Sequence, residues 1–270
     1  MTGLRSWYRI HGRHDLPWRQ TRDRWSILVS EVMLHQTPVA RVLPAYDRFL
    51  RRFPTPAAAR VAGPGALIEE WNRLGYPRRA RWLWAAADRI DREGWPEDLT
   101  DLAGVGRYTA AAVAALADGA DAIGIEVNIR RVCERTAGQR MTERAAEARA
   151  TELARGLRGR DRLLALMDLG ALVCTARTPT CPGCPLRADC ATRGPLAEET
   201  RHRQARYEGS FRQRRGAVLA RLRVGAVPTA ELDGEALASL LDDGLAEITR
   251  GRAHLPRSPG NSPGGRDRPR

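Results

Sequence analysis

The chain of 270 residues carries 45 basic against 32 acidic side chains, a net charge of +13 that fits a polyanionic partner, and its 43% hydrophobic content is enough for a packed core. Every one of the 45 basic residues is arginine, so no side-chain amine exists to form a Schiff base, and lysine-dependent covalent chemistry is excluded. The longest apolar run, 110–117, is far short of the roughly 18 residues a membrane span needs, and the amino terminus lacks a signal-peptide apolar region, so a cytoplasmic protein with no membrane partner is expected.

Alanine, leucine and arginine dominate, and β-branched alternation is scarce before about residue 245, which predicts an all-α chain. Helices are expected over 4–10, 27–34, 39–53, 67–74, 78–90, 109–116, 129–137, 142–157 and 162–173, separated by proline or glycine. After the first helix, Leu16-Pro17-Trp18-Arg19 reads as a helix-ending turn. On the second, Glu31 stands four residues after Ile27 and three before Leu34, on the apolar stripe. Desolvation there would raise its pKa and leave a general acid protonated near neutral pH; an arginine partner would undo this. Trp71, Trp82 and Trp84 recur at helical spacing and read as core.

Further along, Leu102-Ala103-Gly104-Val105-Gly106 separates two helical stretches. Gly104 and Gly106 permit a tight turn whose amides could hold a phosphate at a helix amino terminus, or they could simply form a compact turn. Glu126 precedes the 129–137 helix as a second acidic candidate, Asn128 could cap that helix, and Cys133 on it reads as a small core residue. Cys174, Cys181, Cys184 and Cys190 follow in the spacing C-x6-C-x2-C-x5-C. Four thiolates this close suit an iron–sulfur cluster or a zinc site, with disulfides ranking last. Residues 193–210 are polar and read as a linker, 211–256 as a small module, and 257–270 as a disordered tail. Within the module, short helices over 214–222, 229–232 and 235–242 and a β-hairpin over 245–255 suggest a winged-helix-like arrangement.

Taken together, these motifs resemble the endonuclease III and adenine glycosylase family of DNA repair enzymes. Ser30-Glu31-Val32-Met33-Leu34-His35-Gln36-Thr37 is similar to the SEVMLQQT segment of adenine glycosylases, and Leu16-Pro17-Trp18-Arg19 matches their LPWR. Ile125-Glu126-Val127-Asn128-Ile129-Arg130-Arg131-Val132 is similar to LDGNVKRV or VDTNVRRV, the hairpin to their helix-hairpin-helix, and the cysteine run to their [4Fe-4S] loop. The departures are His14 for a frequent arginine, His35 for glutamine, Ala103 for proline, Glu126 for aspartate and Asp168 for a common glutamate. Tyr108 stands where the lyase-active branch has lysine.

The resemblance implies a helix-hairpin-helix DNA glycosylase fold. A six-helix barrel over 20–125 packs against an iron–sulfur domain of 1–19 and 126–192, with DNA across the cleft between them. It implies a monomeric, monofunctional enzyme hydrolysing the N-glycosidic bond of adenine opposite 8-oxoguanine or guanine. In that scheme Glu31 is the acid, Glu126 stabilises the sugar cation, Asn128 orients Glu126 and Tyr108 lines the pocket. Arg19 lies near the extruded base, Gln36 is the wedge beside Leu34, and Gly104, Gly106 and Arg177 hold backbone phosphate. Cys174, Cys181, Cys184 and Cys190 bind a structural [4Fe-4S] cluster, and the partner is double-stranded DNA with a mismatched or damaged pair. The alternatives are removal of thymine or uracil opposite guanine, and a non-catalytic DNA-binding or redox-sensing protein.

Overall fold

The computed structural model describes residues 3–197 and 206–258; most of the expected 257–270 tail and part of the 193–210 linker lie outside the described residues. Residues up to His202 hold α1 (Gly3–His11), α2 (Arg24–Leu34), α3 (Val39–Arg52), α4 (Pro56–Trp71), α5 (Arg78–Glu93), α6 (Arg107–Ala117), α7 (Val127–Ala137), α8 (Glu143–Leu153) and α9 (Gly159–Leu172). After them come α10 (Phe211–Val224), β1 (Val227–Pro228), α11 (Gly234–Asp242), β2 (Glu247–Thr249) and β3 (Arg252–His254). The chain forms two compact units, one from Met1–Glu31 and Val105–His202, the other from Val32–Gly104 and Arg203–Arg270.

The first unit is organised on α9, against which α1, α6 and α7 all pack, while α8 rests on α7. Leu163, Ala165, Leu166 and Leu169 are fully buried, so α9 is apolar on more than one face, as a central helix must be. The expected boundary at 125 falls inside this unit, because α6 packs on α9. Gly170 lets α7 and α9 approach: a Cβ there would stand 2.7 Å from the Asn128 Cβ.

In the second unit α4 packs along α5, and α3 against α4, around Phe49, Phe53 and Trp71. The phenylalanine rings are edge-on, 4.9 Å apart. Residues 56–62 are helical although the pattern predicts helix only from 67. Pro56 opens the first turn and the Thr55 hydroxyl accepts the Ala58 amide at 3.2 Å. The chain then breaks at Gly63 (φ 83°) and restarts at Pro64, and the freed Gly65 amide donates to the Pro256 carbonyl at 3.0 Å. Trp71 and Trp84 are core as expected; Trp82 is not, being 39% exposed beneath the Arg78 guanidinium.

The carboxy-terminal module belongs to this second unit. Its antiparallel sheet has the order β1-β3-β2, with Val227 opposite Ala253 and Glu247 opposite His254. Strand β1 has no signature in the sequence, since two residues carry no periodicity. Helices α10 and α11 pack together over Leu219, Leu222, Leu237 and Leu240. Arg78 pairs with Asp243 at 3.4 Å and Arg223 donates to the Ile68 carbonyl at 3.3 Å, tying the module to α5 and α4.

Candidate active site

Glu31 sits in the last turns of α2 and is 3% exposed. Burial lifts its carboxyl from 4.5 to about 7, against a hydrogen bond from Tyr108 and the Arg19 cation, which lower it, and with a smaller rise from Glu126. Tyr108, in the first turn of α6, is pushed well above the ordinary phenol value by burial and by the two nearby carboxylates, so its hydroxyl keeps its proton. Gly124 makes room for it: a Cβ there would lie 2.7 Å from Tyr108 Cδ2.

Glu126 is the N-cap of α7. Its Oε2 accepts the Asn128 amide at 2.8 Å and the Asn128 Nδ2 at 2.9 Å, and its Oε1 accepts the Ile129 amide at 2.8 Å. The capping role considered for Asn128 therefore falls to Glu126, because the helix starts at Val127 and leaves Asn128 inside its first turn. Burial raises the Glu126 pKa even so, opposed by these amides, by Arg131 and by the Asn128 side chain. Asn128 Oδ1 in turn accepts from Arg131 at 2.7 Å, and Arg131 also donates to the carbonyls of Gly170 and Cys174, each at 2.6 Å. A continuous hydrogen-bonded path thus runs from the carboxylate to the backbone of the first cysteine.

Asp168 is fully buried between two arginines. Arg19 grips it through both terminal nitrogens at 2.6 and 2.8 Å, and Arg13 through its amide at 2.9 Å and side chain at 2.7 Å. Burial alone would raise this carboxyl, but the two cations outweigh it and hold it below its ordinary value. Arg19, 8% exposed, is consequently oriented by Asp168 while its charge still reaches Glu31.

The four cysteines line one pocket with Val132, Leu169, Val173 and Leu186. The Cys174 sulfur faces Arg135 Nη1 at 3.5 Å, and the Cys190 sulfur the Arg193 amide at 3.4 Å. Among the described residues no three His, Cys, Asp or Glu side chains stand close enough to share one metal ion. The pocket offers four thiols, two of whose sulfurs face N–H donors, and a donor set of this kind suits an iron–sulfur cluster. Arg135 also holds the carbonyls of Thr175 (2.8 Å) and Ala176 (3.0 Å), leaving Arg177 exposed beyond them.

Residues 29–155 match the profile of the HhH-GPD superfamily of base excision DNA repair proteins. The chain is 42% identical to the adenine DNA glycosylase of Mycolicibacterium smegmatis, covering 91% of this chain and 92% of that one. The chain belongs to this superfamily. It is also 35% identical to the thymine-DNA glycosylase of Aeropyrum pernix, over 69% of this chain and 91% of the relative. Among solved structures, a thermostable thymine-DNA glycosylase superposes with a TM-score of 0.64 at 29% identity, covering 71% of this chain and 93% of that one.

As in its superfamily name, the chain carries a hairpin before α6, but what precedes the turn is only a 3-10 segment, Leu99–Asp101. Gly106 is exposed and is the N-cap of α6, without a side-chain hydrogen bond. In the second unit, Gly104 is exposed with φ 76°, and a Cβ on it would strike Trp82 Cβ at 2.8 Å. Leu34 is half-buried and Gln36 exposed. His35 between them is held below its ordinary pKa by burial and by the Arg79 cation, so it is neutral at pH 7.

The sequence divides Glu31 and Tyr108 from Arg19, Glu126 and Asn128 between two expected domains; the structure holds all five in one unit and the four cysteines in one pocket. Sequence reasoning also missed Arg13, Arg131, Arg135 and Arg79, buried or half-buried arginines with structural acceptors. Nothing in a chain with 45 arginines marks these as different from the solvated ones.

Proposed function

We propose that the protein is a monofunctional DNA glycosylase that hydrolyses the N-glycosidic bond of adenine opposite 8-oxoguanine or guanine. The observation that carries this is the Glu31 carboxyl, buried and lifted to about 7 beside the Tyr108 hydroxyl. A purine leaves deoxyribose slowly unless a ring nitrogen is protonated, and a carboxyl that keeps its proton at neutral pH supplies it. The electrons of the breaking C–N bond pass to the protonated base. Glu126, oriented by three N–H groups, stabilises the positive charge left on the sugar, and water adds to the anomeric carbon as its proton passes to the Glu31 carboxylate, which the departing base left deprotonated. Arg19, fixed by Asp168, faces the extruded base. The absence of any lysine supports a reaction without a Schiff-base lyase step.

Gln36 would fill the space of the extruded base, while Gly104, Gly106 and Arg177 would hold phosphates. Cys174, Cys181, Cys184 and Cys190 would hold a [4Fe-4S] cluster. When bound, such a cluster ties both ends of the loop carrying Arg177 and has no chemical part in the hydrolysis. The 211–256 module is read as winged-helix-like. A monomer acting on chromosomal DNA in the cytoplasm completes the reading.

Removal of thymine or uracil opposite guanine is the second reading, favoured by the similarity to thymine-DNA glycosylases. The two are separated by single-turnover strand scission on duplexes with adenine opposite 8-oxoguanine and with thymine opposite guanine, each with and without alkaline work-up. Scission of the adenine strand only after alkali is the expected result. Scission of the thymine strand alone would replace the proposal, and scission without alkali would overturn its monofunctional part.

A further inference from the structure

Arg79, in the first turn of α5, is 5% exposed, and its guanidinium donates to uncharged oxygens that converge on one turn of the second unit. Its Nη1 reaches the carbonyls of Val32 (2.8 Å), Met33 (3.0 Å) and His35 (2.5 Å), and its Nη2 reaches Thr37 Oγ1 (2.9 Å) and the Gly75 carbonyl (3.0 Å). The rings of Trp71 and Tyr76 flank it at 5.2 and 5.4 Å. Val32 and Met33 lie in the last turn of α2, whose carbonyls have no donor within the helix, and a cation there also meets the negative end of the helix dipole.

Between the two anchored neighbours stands Gln36. Its φ of 55° is left-handed, a conformation that costs a non-glycine residue about 1 kcal/mol or more unless its surroundings enforce it. On one side the His35 carbonyl is gripped by Arg79. On the other, the Thr37 hydroxyl accepts from Arg79 and donates to the Leu74 carbonyl at 3.3 Å, and the Thr37 amide donates to Leu34 at 3.2 Å. The Gln36 side chain is left exposed.

We infer that Arg79 is the positioning residue for Gln36: by holding residues 32–37 it enforces the left-handed backbone that presents the Gln36 side chain outward as the wedge. The inference rests on the glycosylase reading above. Arg79, being buried, touches no substrate itself. Lysine cannot replace it, because a single ammonium cannot serve acceptors spread over both terminal nitrogens of a planar guanidinium.

The test compares Arg79→Met, Arg79→Lys, Gln36→Ala and the double variant Arg79→Met/Gln36→Ala in single-turnover excision. Two duplexes are used, one with adenine opposite 8-oxoguanine and one with adenine opposite an abasic site, where extrusion costs little. Relative to wild type, each single variant is expected to slow the mismatch reaction on the order of tenfold and the abasic-site reaction far less. The double variant is expected to be no slower than Arg79→Met alone. Amide hydrogen exchange, read without any substrate, is expected to accelerate at residues 35–37 in Arg79→Met and to stay unchanged in α9.

Equal slowing on both duplexes, additive losses in the double variant, or unchanged exchange at 35–37 would each overturn the inference. If Arg79→Met does not fold, Arg79→Lys gives the same readings with charge and most of the volume kept. A wild-type protein that excises adenine from neither duplex would sink the glycosylase reading, and hydrogen exchange would still decide whether Arg79 holds the turn.

Discussion

Glu31 takes its chemistry from burial, Glu126 from the N–H groups it accepts. Because the folded-state pKa of Glu31, about 7, exceeds the unburied 4.5, the folded protein keeps a proton that the unfolded chain releases between those values. Its contribution to stability is therefore fully present below pH 4.5 and is lost as pH rises to about 7, about 3 kcal/mol in all. Glu31→Gln should remove this dependence: melting curves at pH 8 should show the variant more stable than wild type, with the gap closing toward pH 4.5. The same variant should bind duplex and lose excision, and the wild-type rate should fall above pH 7 as the acid is spent. Glu126→Ala should cost about 1 kcal/mol in denaturant unfolding through the lost cap and slow excision on the order of a hundredfold or more. Glu126→Asp, which restores the residue of the resembling motif, should keep both. That Glu31 faces the core was legible from its place on the Ile27–Leu34 stripe. That Glu126 turns back onto its own helix was not, because capping depends on a backbone angle that no spacing reveals.

Helix positions followed from periodicity and punctuation, and the departures have local causes. The α4 segment before Gly63 lies outside the helix expected over 67–74; Gly63-Pro64 is a break between two abutting helical pieces, satisfied by the chain near Pro256. The stretch expected as the hairpin's first helix is one 3-10 turn, since Asp98 caps Thr100 at 2.8 Å and the chain turns at once. Gly104 makes a test at this scale. Its φ of 76° and the 2.8 Å approach to Trp82 together predict that Gly104→Ala loses roughly 1–2 kcal/mol on unfolding. Adding Trp82→Ala should recover little, because the Cβ that the new methyl meets at 2.8 Å is kept and the backbone angle remains strained; full recovery would show that crowding by the indole ring alone matters.

Across the whole molecule, arginine serves two populations that the composition lumps together. Arg13, Arg19, Arg79, Arg131 and Arg135 are committed to buried carboxylates and carbonyls, so the net charge of +13 overstates what is free to meet DNA only in the number of arginines, not in sign. Arg177 represents the exposed population. Arg177→Ala should weaken binding to all duplex sequences alike and reduce the salt slope of affinity by about 1, measured by titration across ionic strength. A sequence-selective loss would mean that it reads bases.

The sequence by itself determined the helical class, the Glu31 stripe, the cysteine spacing and the absence of lysine chemistry, because each depends on local periodicity or residue identity. Only the tertiary structure decided which of 45 arginines are buried, that Glu126 caps α7, that Gln36 is held left-handed between anchored neighbours, and that α6 joins the α9 unit. The Glu126 cap is local and set by a backbone angle, but the others depend on groups tens of residues apart coming together, as Arg19 meets Asp168 and Arg79 meets Val32, and a chain pattern holds no record of such meetings.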